Sequence, residues 1–264
     1  MGMWLRMRTS VRILGRGVVA VGWGGPWSEL KLACVEDYIK SYLAVMKNKS
    51  WCLQYVDAFA GSGLQKVKTT AHGSESVASL FGDVEDQAAA RLFIEGSPIR
   101  AIRASVEAAR GFDEFVFIDA SSRACQALEG RIAGEFAVPL PEMRFLREDA
   151  NEFLLKFAQQ YDRTRCRSVV FLDPFGCEVA WSTVEALGST GACDVWYLFP
   201  LSGAIRMMTH SGEIDPVWES TLDTIFGTHD WREHFYETVT QETLFGDVEE
   251  TRRDAPPSKV VDYV

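Results

Sequence analysis

The stretch Asp57-Ala58-Phe59-Ala60-Gly61-Ser62-Gly63 decides the fold prediction. It follows an apolar segment, residues 51–56, that is typical of a buried strand. Gly61 and Gly63 permit a tight turn in which the backbone closely approaches a ligand. The turn has neither the G-x-G-x-x-G spacing of a dinucleotide site nor the Gly-Lys-Ser/Thr of a P-loop. Because a simple strand-to-loop turn also fits this stretch, the prediction depends on the sequence that follows.

Apolar strands and amphipathic helices alternate after this turn. We predict strands over residues 115–118, 143–146, 168–172 and 195–199, with helices beginning near Ser97, Ser121, Asp149 and Trp181. Such alternation predicts an α/β fold of the Rossmann-like class I methyltransferase type. Its sheet would be twisted and mostly parallel, with helices on both faces. Beyond residue 200 the pattern predicts a helical C-terminal part, including helices over residues 218–226 and 231–236.

An aspartate follows each of the next two predicted strands. Asp119 can accept hydrogen bonds from the ribose hydroxyls of a nucleotide-like cofactor, and it can equally cap the following helix. Asp149, which precedes Ala150, can receive the amino group of an adenine. For Asp149 the alternative role as a helix cap is nearly as common.

The fourth strand end carries Asp173-Pro174-Phe175-Gly176. Proline fixes the chain after the strand, so that the Asp173 carboxylate and nearby carbonyls can orient an amine for methylation. Phe175 can stack on a flat substrate, although a tight turn with a buried phenylalanine is the alternative. The order of the four strand ends therefore predicts an S-adenosylmethionine-dependent N-methyltransferase that acts on a base-like amine, in nucleic acid or in a small molecule. The predicted cofactor-binding residues are Asp57, Phe59, Ala60, Gly61, Gly63, Asp119, Asp149 and Ala150, and the predicted catalytic residues are Asp173, Pro174 and Phe175.

Composition limits the classes of protein that fit. The 264 residues carry a formal net charge of −10, so any contact with nucleic acid requires a local basic patch. The six cysteines contain no C-x-x-C pair, which disfavours structural zinc and favours reduced thiols in a cytoplasmic protein. No apolar run approaches the roughly 20 residues that a membrane helix needs. We predict a cytoplasmic protein without a metal site or a membrane segment.

The same residues resemble the three-Cys-motif partner proteins, often called TcmP. The matching stretches cover about residues 25–250 and include Gly25-Pro26-Trp27-Ser28, residues 55–63, Gly96-Ser97-Pro98, Asp149-Ala150-Asn151, residues 171–176, residues 196–201, Ser211-Gly212-Glu213-Ile214 and Phe226-Gly227-Thr228. The resemblance implies a class I methyltransferase-like protein whose genomic partner is a radical-S-adenosylmethionine-like protein with three cysteines. Since those three cysteines belong to the partner, the six here need not form a cluster site.

The chain departs from this family in two places. It has Asp119-Ala120-Ser121 where Glu followed by Lys-Asp is common, so the acid is kept on a shorter side chain. A class I core also ends with a strand pair for which the sequence offers no clear candidate. We therefore expect a disordered or non-native tail over residues 1–25, a methyltransferase domain over residues 26–250 with a helical extension after 200, and a polar tail or the start of a truncated element over residues 251–264.

Two other functions fit parts of the pattern. A non-catalytic partner protein would keep the fold and work by binding the three-Cys-motif protein. A metal-dependent nuclease would use Asp57, Asp119, Asp149 and Asp173 as ligands, and it ranks last because these acids are spread along one crevice and have no histidine neighbours.

Overall fold

A computed structural model describes residues 11–13, 26–66, 93–243 and 246–264. Its strands are β1 (Val11–Ile13), β2 (Cys52–Asp57), β3 (Leu64–Lys66), β4 (Phe93–Glu95), β5 (Glu114–Ile118), β6 (Glu142–Leu146), β7 (Cys166–Leu172), β8 (Cys193–Tyr197), β9 (Tyr236–Thr243) and β10 (Gly246–Arg253). Its helices are α1 (Pro26–Met46), α2 (Ser97–Glu107), α3 (Ser122–Glu135), α4 (Ala150–Gln159), α5 (Trp181–Ser189), α6 (Leu201–Met207), α7 (Pro216–Phe226), α8 (Trp231–Phe235) and α9 (Pro257–Tyr263).

The central sheet has the strand order β1-β8-β7-β2-β5-β6. The pairings of β1 with β8, of β2 with β5 and of β5 with β6 are parallel. Strands β2 and β5 pair in the register Tyr55 with Phe115 and Val56 with Val116. Parallel strands require long crossover connections, and helices supply several of them here. The prediction of an α/β fold with a mostly parallel sheet is confirmed.

The chain divides into two compact units. The first unit comprises Ala20–Asp149 and Thr164–Val169, and the second comprises Met1–Val19, Ala150–Arg163 and Val170–Val264. Strand β7 contributes its first four residues to the first unit and its last three to the second.

Aromatic side chains fill the core of the first unit. Tyr55 on β2 lies 5.9 Å from Phe115 and 6.5 Å from Phe117, measured between ring centroids. Phe112, which precedes β5, lies 5.6 Å from both Tyr55 and Phe115. One face of α1 is also buried, through Leu32, Val35, Ile39 and Leu43 at helical spacing. These contacts fix β2 and β5 side by side, and both strands end at the candidate site.

The core of the second unit lies among its C-terminal helices and contains aromatic residues from α7 and α8. Phe226 lies 6.3 Å from Trp231, 5.8 Å from Phe235 and 5.5 Å from Tyr263 between ring centroids. Gly227 ends α7 with a φ of +72°, and a Cβ there would lie 2.4 Å from the ring of Trp181. The segment after residue 200 is therefore held by apolar packing.

Several elements differ in detail from the sequence-based expectations. Strand β1 lies within the segment for which we predicted a tail, and the rest of residues 1–25 lies outside the described residues. Strands β9 and β10 form a separate antiparallel hairpin, and α9 follows it. Gly96, not Ser97, is the N-cap of α2, because Ser97 is already the first residue of the helix. Among the described residues, no helix has the length and apolar character to cross a bilayer.

Candidate cofactor and acceptor sites

The turn after β2 and the end of β5 meet through backbone and carboxylate hydrogen bonds. The Gly61 N–H donates to Asp119 Oδ2 at 3.0 Å, and the Ala60 N–H donates to the Ile118 carbonyl at 3.0 Å. The Asp119 N–H in turn donates to the Leu146 carbonyl, at the end of β6, at 3.1 Å. The structure thus brings Gly61 and Asp119 together.

Both oxygens of the Asp119 carboxylate accept backbone hydrogen bonds. Oδ1 accepts from the Ser121 N–H at 2.7 Å, and Oδ2 accepts from Gly61. The carboxylate stays half-exposed, and each of its oxygens has a further lone pair for an outside donor. Helix α3 is capped by Ser121 instead, whose Oγ accepts from the Ala124 N–H at 3.3 Å. Asp119 is therefore held in place and free for another role.

Gly61 and Gly63 have different roles in the turn. Both adopt left-handed backbone geometry, with φ values of +58° and +75°. A Cβ on Gly61 would meet nothing within 4 Å, so space is open beside the backbone at this position. A Cβ on Gly63 would lie 2.9 Å from Leu128 Cδ1 and 3.2 Å from Arg131 Cδ. Gly61 thus leaves room for a ligand, whereas Gly63 allows the turn to pack against α3.

Asp57 lies inside the turn. Its side chain is 0% exposed, and Oδ1 accepts a hydrogen bond from the Phe59 N–H at 3.3 Å. Ala60 is also buried, while Phe59 is half-buried. Asp57 therefore shapes the backbone that leads to Gly61, and its predicted contact with a cofactor stays a prediction.

Asp149 and Ala150 stand at the start of α4. Asp149 is exposed and Ala150 is buried. Asp149 follows β6 at the same end as Asp119 follows β5, since these strands are parallel with Ile118 opposite Leu146. Its predicted contact with an adenine stays a prediction.

In the second unit, the turn after β7 carries the predicted catalytic residues. Asp173 is half-buried and Pro174 is buried, whereas Phe175 is 75% exposed. The Phe175 N–H donates to the Glu178 carboxylate at 3.1 Å. The alternative of a buried phenylalanine in a tight turn therefore does not hold, and the ring presents a flat apolar surface to solvent.

Asn151, to which the sequence analysis assigned no role, holds the segment that follows this turn. Its Nδ2 donates to the Glu178 carbonyl at 2.8 Å, and its Oδ1 accepts from the Ala180 N–H and the Thr183 Oγ1, both at 2.9 Å. Thr183 is fully buried. The signal that could have found this role is a side-chain amide in the first turn of α4, since an amide can donate and accept hydrogen bonds at the same time.

Two ionisable groups near the turn have raised pKa values. Burial raises the pKa of the Cys177 thiol to about 11, and the Glu178 carboxylate adds to the shift while Arg206 opposes it. Burial also raises the pKa of Tyr197, at the end of β8, and Cys177 adds to that shift. Both groups are therefore neutral near pH 7, and neither provides an ionised nucleophile beside the turn.

A metal-dependent mechanism requires clustered ligands. Within the described part of the chain, no three His, Cys, Asp or Glu side chains are grouped so that they could hold a metal ion.

Comparisons with known proteins returned structural similarities only. No family model matches the chain, and no curated protein matches it. One similar solved structure is a Legionella pneumophila protein of the DUF519 family, with 13% identity and a TM-score of 0.39, over 88% of this chain and 90% of that one. Another is Trm1 from Pyrococcus horikoshii in complex with S-adenosyl-L-methionine, with 14% identity and a TM-score of 0.36, over 88% of this chain and 57% of that one. At these TM-scores neither similarity carries an argument about function.

Proposed function

We propose that this protein is an S-adenosylmethionine-dependent N-methyltransferase of the TcmP type that acts on a base-like amine. The observation that carries the proposal is the Asp119 carboxylate, which the Gly61 and Ser121 N–H groups fix beside the open space at Gly61. A fixed, half-exposed acceptor of this kind fits the paired hydroxyls of a ribose. The acceptor carboxylate of Asp119 and the open space at Gly61 therefore suit the cofactor.

The turn from Asp57 to Gly63, together with Asp119, Asp149 and Ala150, would hold the cofactor. When bound, S-adenosylmethionine supplies a methyl group to a nucleophile. Asp57 acts indirectly, because its buried carboxylate shapes the turn through the Phe59 N–H. Asp119 accepts hydrogen bonds from the ribose, and Asp149 accepts one from the adenine.

The turn after β7 would orient the methyl acceptor. The Asp173 carboxylate accepts a hydrogen bond from the amine, which directs the nitrogen lone pair away from that bond. Phe175, which is largely exposed, stacks on the flat ring that carries the amine. Pro174 restricts the turn. Few catalytic side chains are needed, because methyl transfer depends mainly on positioning.

Calorimetry tests the cofactor assignment. Wild type should bind S-adenosylmethionine, and Asp119→Ala should bind it at least about tenfold more weakly, which corresponds to about 1.4 kcal/mol. Glu129→Gln, on the exposed side of α3, is a matched control that should bind like wild type. Circular dichroism of both variants checks that they are folded. Absence of binding by the wild type would refute the proposal.

A transfer assay separates catalysis from binding. Wild type should move a labelled methyl group from the cofactor to total RNA, DNA or a pool of small amines, and Asp173→Ala should lose transfer while it still binds the cofactor. Binding without transfer to any pool would favour the alternative, a non-catalytic partner of a three-Cys-motif radical-S-adenosylmethionine-like protein.

A further inference from the structure

Cationic residues flank a tryptophan where β2 and β7 begin, and two of them, Lys49 and Arg167, lie over its ring. They come from the turn after α1 and from the start of β7, and both segments belong to the first unit. We name this group the Trp51 patch, and its members are Lys47, Lys49, Trp51, Arg165 and Arg167. The patch is notable because the whole chain carries a net charge of −10.

An arginine stacks on the tryptophan ring. The Arg167 guanidinium carbon lies 4.0 Å from the centroid of the Trp51 ring, and Lys49 Nζ lies 6.0 Å from it. The Cys52 N–H donates to the Arg165 carbonyl at 2.8 Å, which places Arg165 beside this pair. The patch therefore combines flat surfaces with several positive charges.

Arg110 fixes the backbone on which the patch stands. Its guanidinium donates to the carbonyl of Trp51 at 2.5 Å and to the carbonyl of Lys49. Its own charge is paired with Asp113, 3.2 Å away. Arg110, which is not itself a member of the patch, thus orders the segment and offsets the charge of Asp113.

Those cations are accessible. Lys47, Lys49 and Arg165 are exposed, and within the described residues none of the three forms an ion pair. Glu114, the carboxylate that follows Asp113, is bound by Gln54 at 2.6 Å and by Arg144 at 3.4 Å. The local charge is positive although the overall charge is negative, which is the condition for contact with a polyanion in a protein of this composition.

The patch is separate from the candidate cofactor site. Trp51 precedes β2 and Asp57 ends it, so the six residues of the strand separate the two. An extended strand of that length spans about 20 Å. A ligand group bound at the patch is consequently too far away to contact Asp119 or Gly61.

We propose that the Trp51 patch is a binding surface for single-stranded nucleic acid. Lys47, Lys49 and Arg165 contact phosphates, and the Trp51–Arg167 stack contacts a base. Base stacking on aromatic rings and guanidinium planes, combined with phosphate contacts, is the usual chemistry of such surfaces. A lipid surface or an acidic protein offers charge but no planar bases for the stack. The inference does not depend on methyl transfer, because binding requires neither cofactor nor turnover.

Fluorescence anisotropy tests the inference with labelled RNA and DNA oligonucleotides of one mixed sequence, each about 20 nucleotides long. Wild type should bind at least one of them, and the comparison shows whether the 2′-hydroxyl matters. The double variant Lys49→Glu/Arg165→Glu should bind at least about tenfold more weakly. The slope of log K against log salt concentration should be shallower by about 1.4 for this variant, since it loses two phosphate contacts and each contact to a single strand contributes about 0.7.

The matched control is Lys156→Glu/Lys259→Glu, which changes the net charge equally on two exposed or half-exposed lysines of the second unit. It should bind nucleic acid like wild type. Trp51→Leu should weaken binding but leave the salt dependence unchanged. Calorimetry with S-adenosylmethionine on the patch variant separates this inference from the proposed function, because cofactor binding should be unaffected.

Three results would overturn the inference. The first is that wild type binds neither oligonucleotide, and the second is that the patch variant binds as well as wild type. The third is that the control variant loses as much affinity as the patch variant. Binding to phosphatidylserine vesicles without binding to oligonucleotides would assign the patch to a lipid surface instead.

Discussion

At the scale of single residues, the two glycines of the turn after β2 differ in how much room each leaves for an added side chain. Gly61 and Gly63 share left-handed geometry, yet only Gly63 lies against other side chains. Sequence alone identified both as turn residues. It could not separate their roles, because that difference depends on Leu128 and Arg131, which come from a helix more than 60 residues away in the chain.

We predict that Gly63→Ala destabilises the protein by about 2–4 kcal/mol, because the new Cβ combines left-handed strain with overlap against Leu128. Gly130→Ala is the control. Gly130 lies in the middle of α3 with nothing within 4 Å of an added Cβ, so alanine should stabilise the helix by about 0.5–1 kcal/mol. Urea unfolding of both variants measures the difference. Equal effects would show that Gly63 does not pack as described.

At the scale of elements, apolar periodicity predicted the buried strands and the helices between them. Strands β5, β6, β7 and β8 all overlap the predicted segments. Strands β5, β7 and β8 are short and mostly buried, whereas β6 carries Glu142 and Arg144 and has no buried residue. The hairpin of β9 and β10 was missed. Its two segments, YETVTQET and GDVEETRR, contain few apolar residues and no apolar alternation, so the sequence pattern does not indicate strands and the pairing of the two segments defines them. The sequence analysis also predicted no strand at the positions of the short strands β3 and β4.

The segment after β7 is held by Asn151, which lies on a different element, helix α4. We predict that Asn151→Ala lowers the free energy of unfolding by about 2–3 kcal/mol, because the Ala180 N–H and the buried Thr183 hydroxyl lose their acceptor. Hydrogen exchange provides a direct measurement, since the Ala180 amide should lose its protection.

Asn151→Asp is the control for that prediction. A carboxylate keeps an acceptor for Ala180 and Thr183, but it replaces the donor to the Glu178 carbonyl with a second acceptor that repels that oxygen. The Ala180 amide should therefore stay protected in this variant. Unchanged protection in Asn151→Ala would mean that the segment is held by other contacts.

At the scale of the whole molecule, stability should depend on pH through Glu95. Hydrogen bonding to Arg103 holds the pKa of Glu95 below its ordinary value, although burial opposes this shift. The Arg103 guanidinium reaches both Glu95 oxygens, at 2.5 and 2.8 Å, and also Glu135 at 2.6 Å. Because the pKa is lower in the folded state, this pair contributes stability above the unfolded pKa, and the contribution is lost as pH falls through the folded pKa.

We predict that Glu95→Gln is less stable than wild type at pH 6 and that this difference shrinks as the pH falls from about 5 towards 3. Urea unfolding at several pH values measures it. The control variant Glu129→Gln, which changes an exposed side chain, should follow wild type across the range. A difference between Glu95→Gln and wild type that stays constant with pH would contradict the assignment.

The β9–β10 hairpin has a consequence for behaviour in concentrated solution. Within the described residues each strand pairs only with the other, so each has one edge without a strand partner, although the Arg253 N–H at the end of β10 donates to the His210 carbonyl at 2.9 Å. Such edges invite intermolecular strand pairing, and charged side chains usually prevent it. Among the hairpin side chains that the structure describes, Glu237 and Glu250 are exposed and acidic, so their repulsion of a second copy opposes such pairing near neutral pH. Near the sequence pI of about 5.0 the net charge of the whole chain approaches zero, so general repulsion between copies weakens and self-association through these edges should limit solubility there.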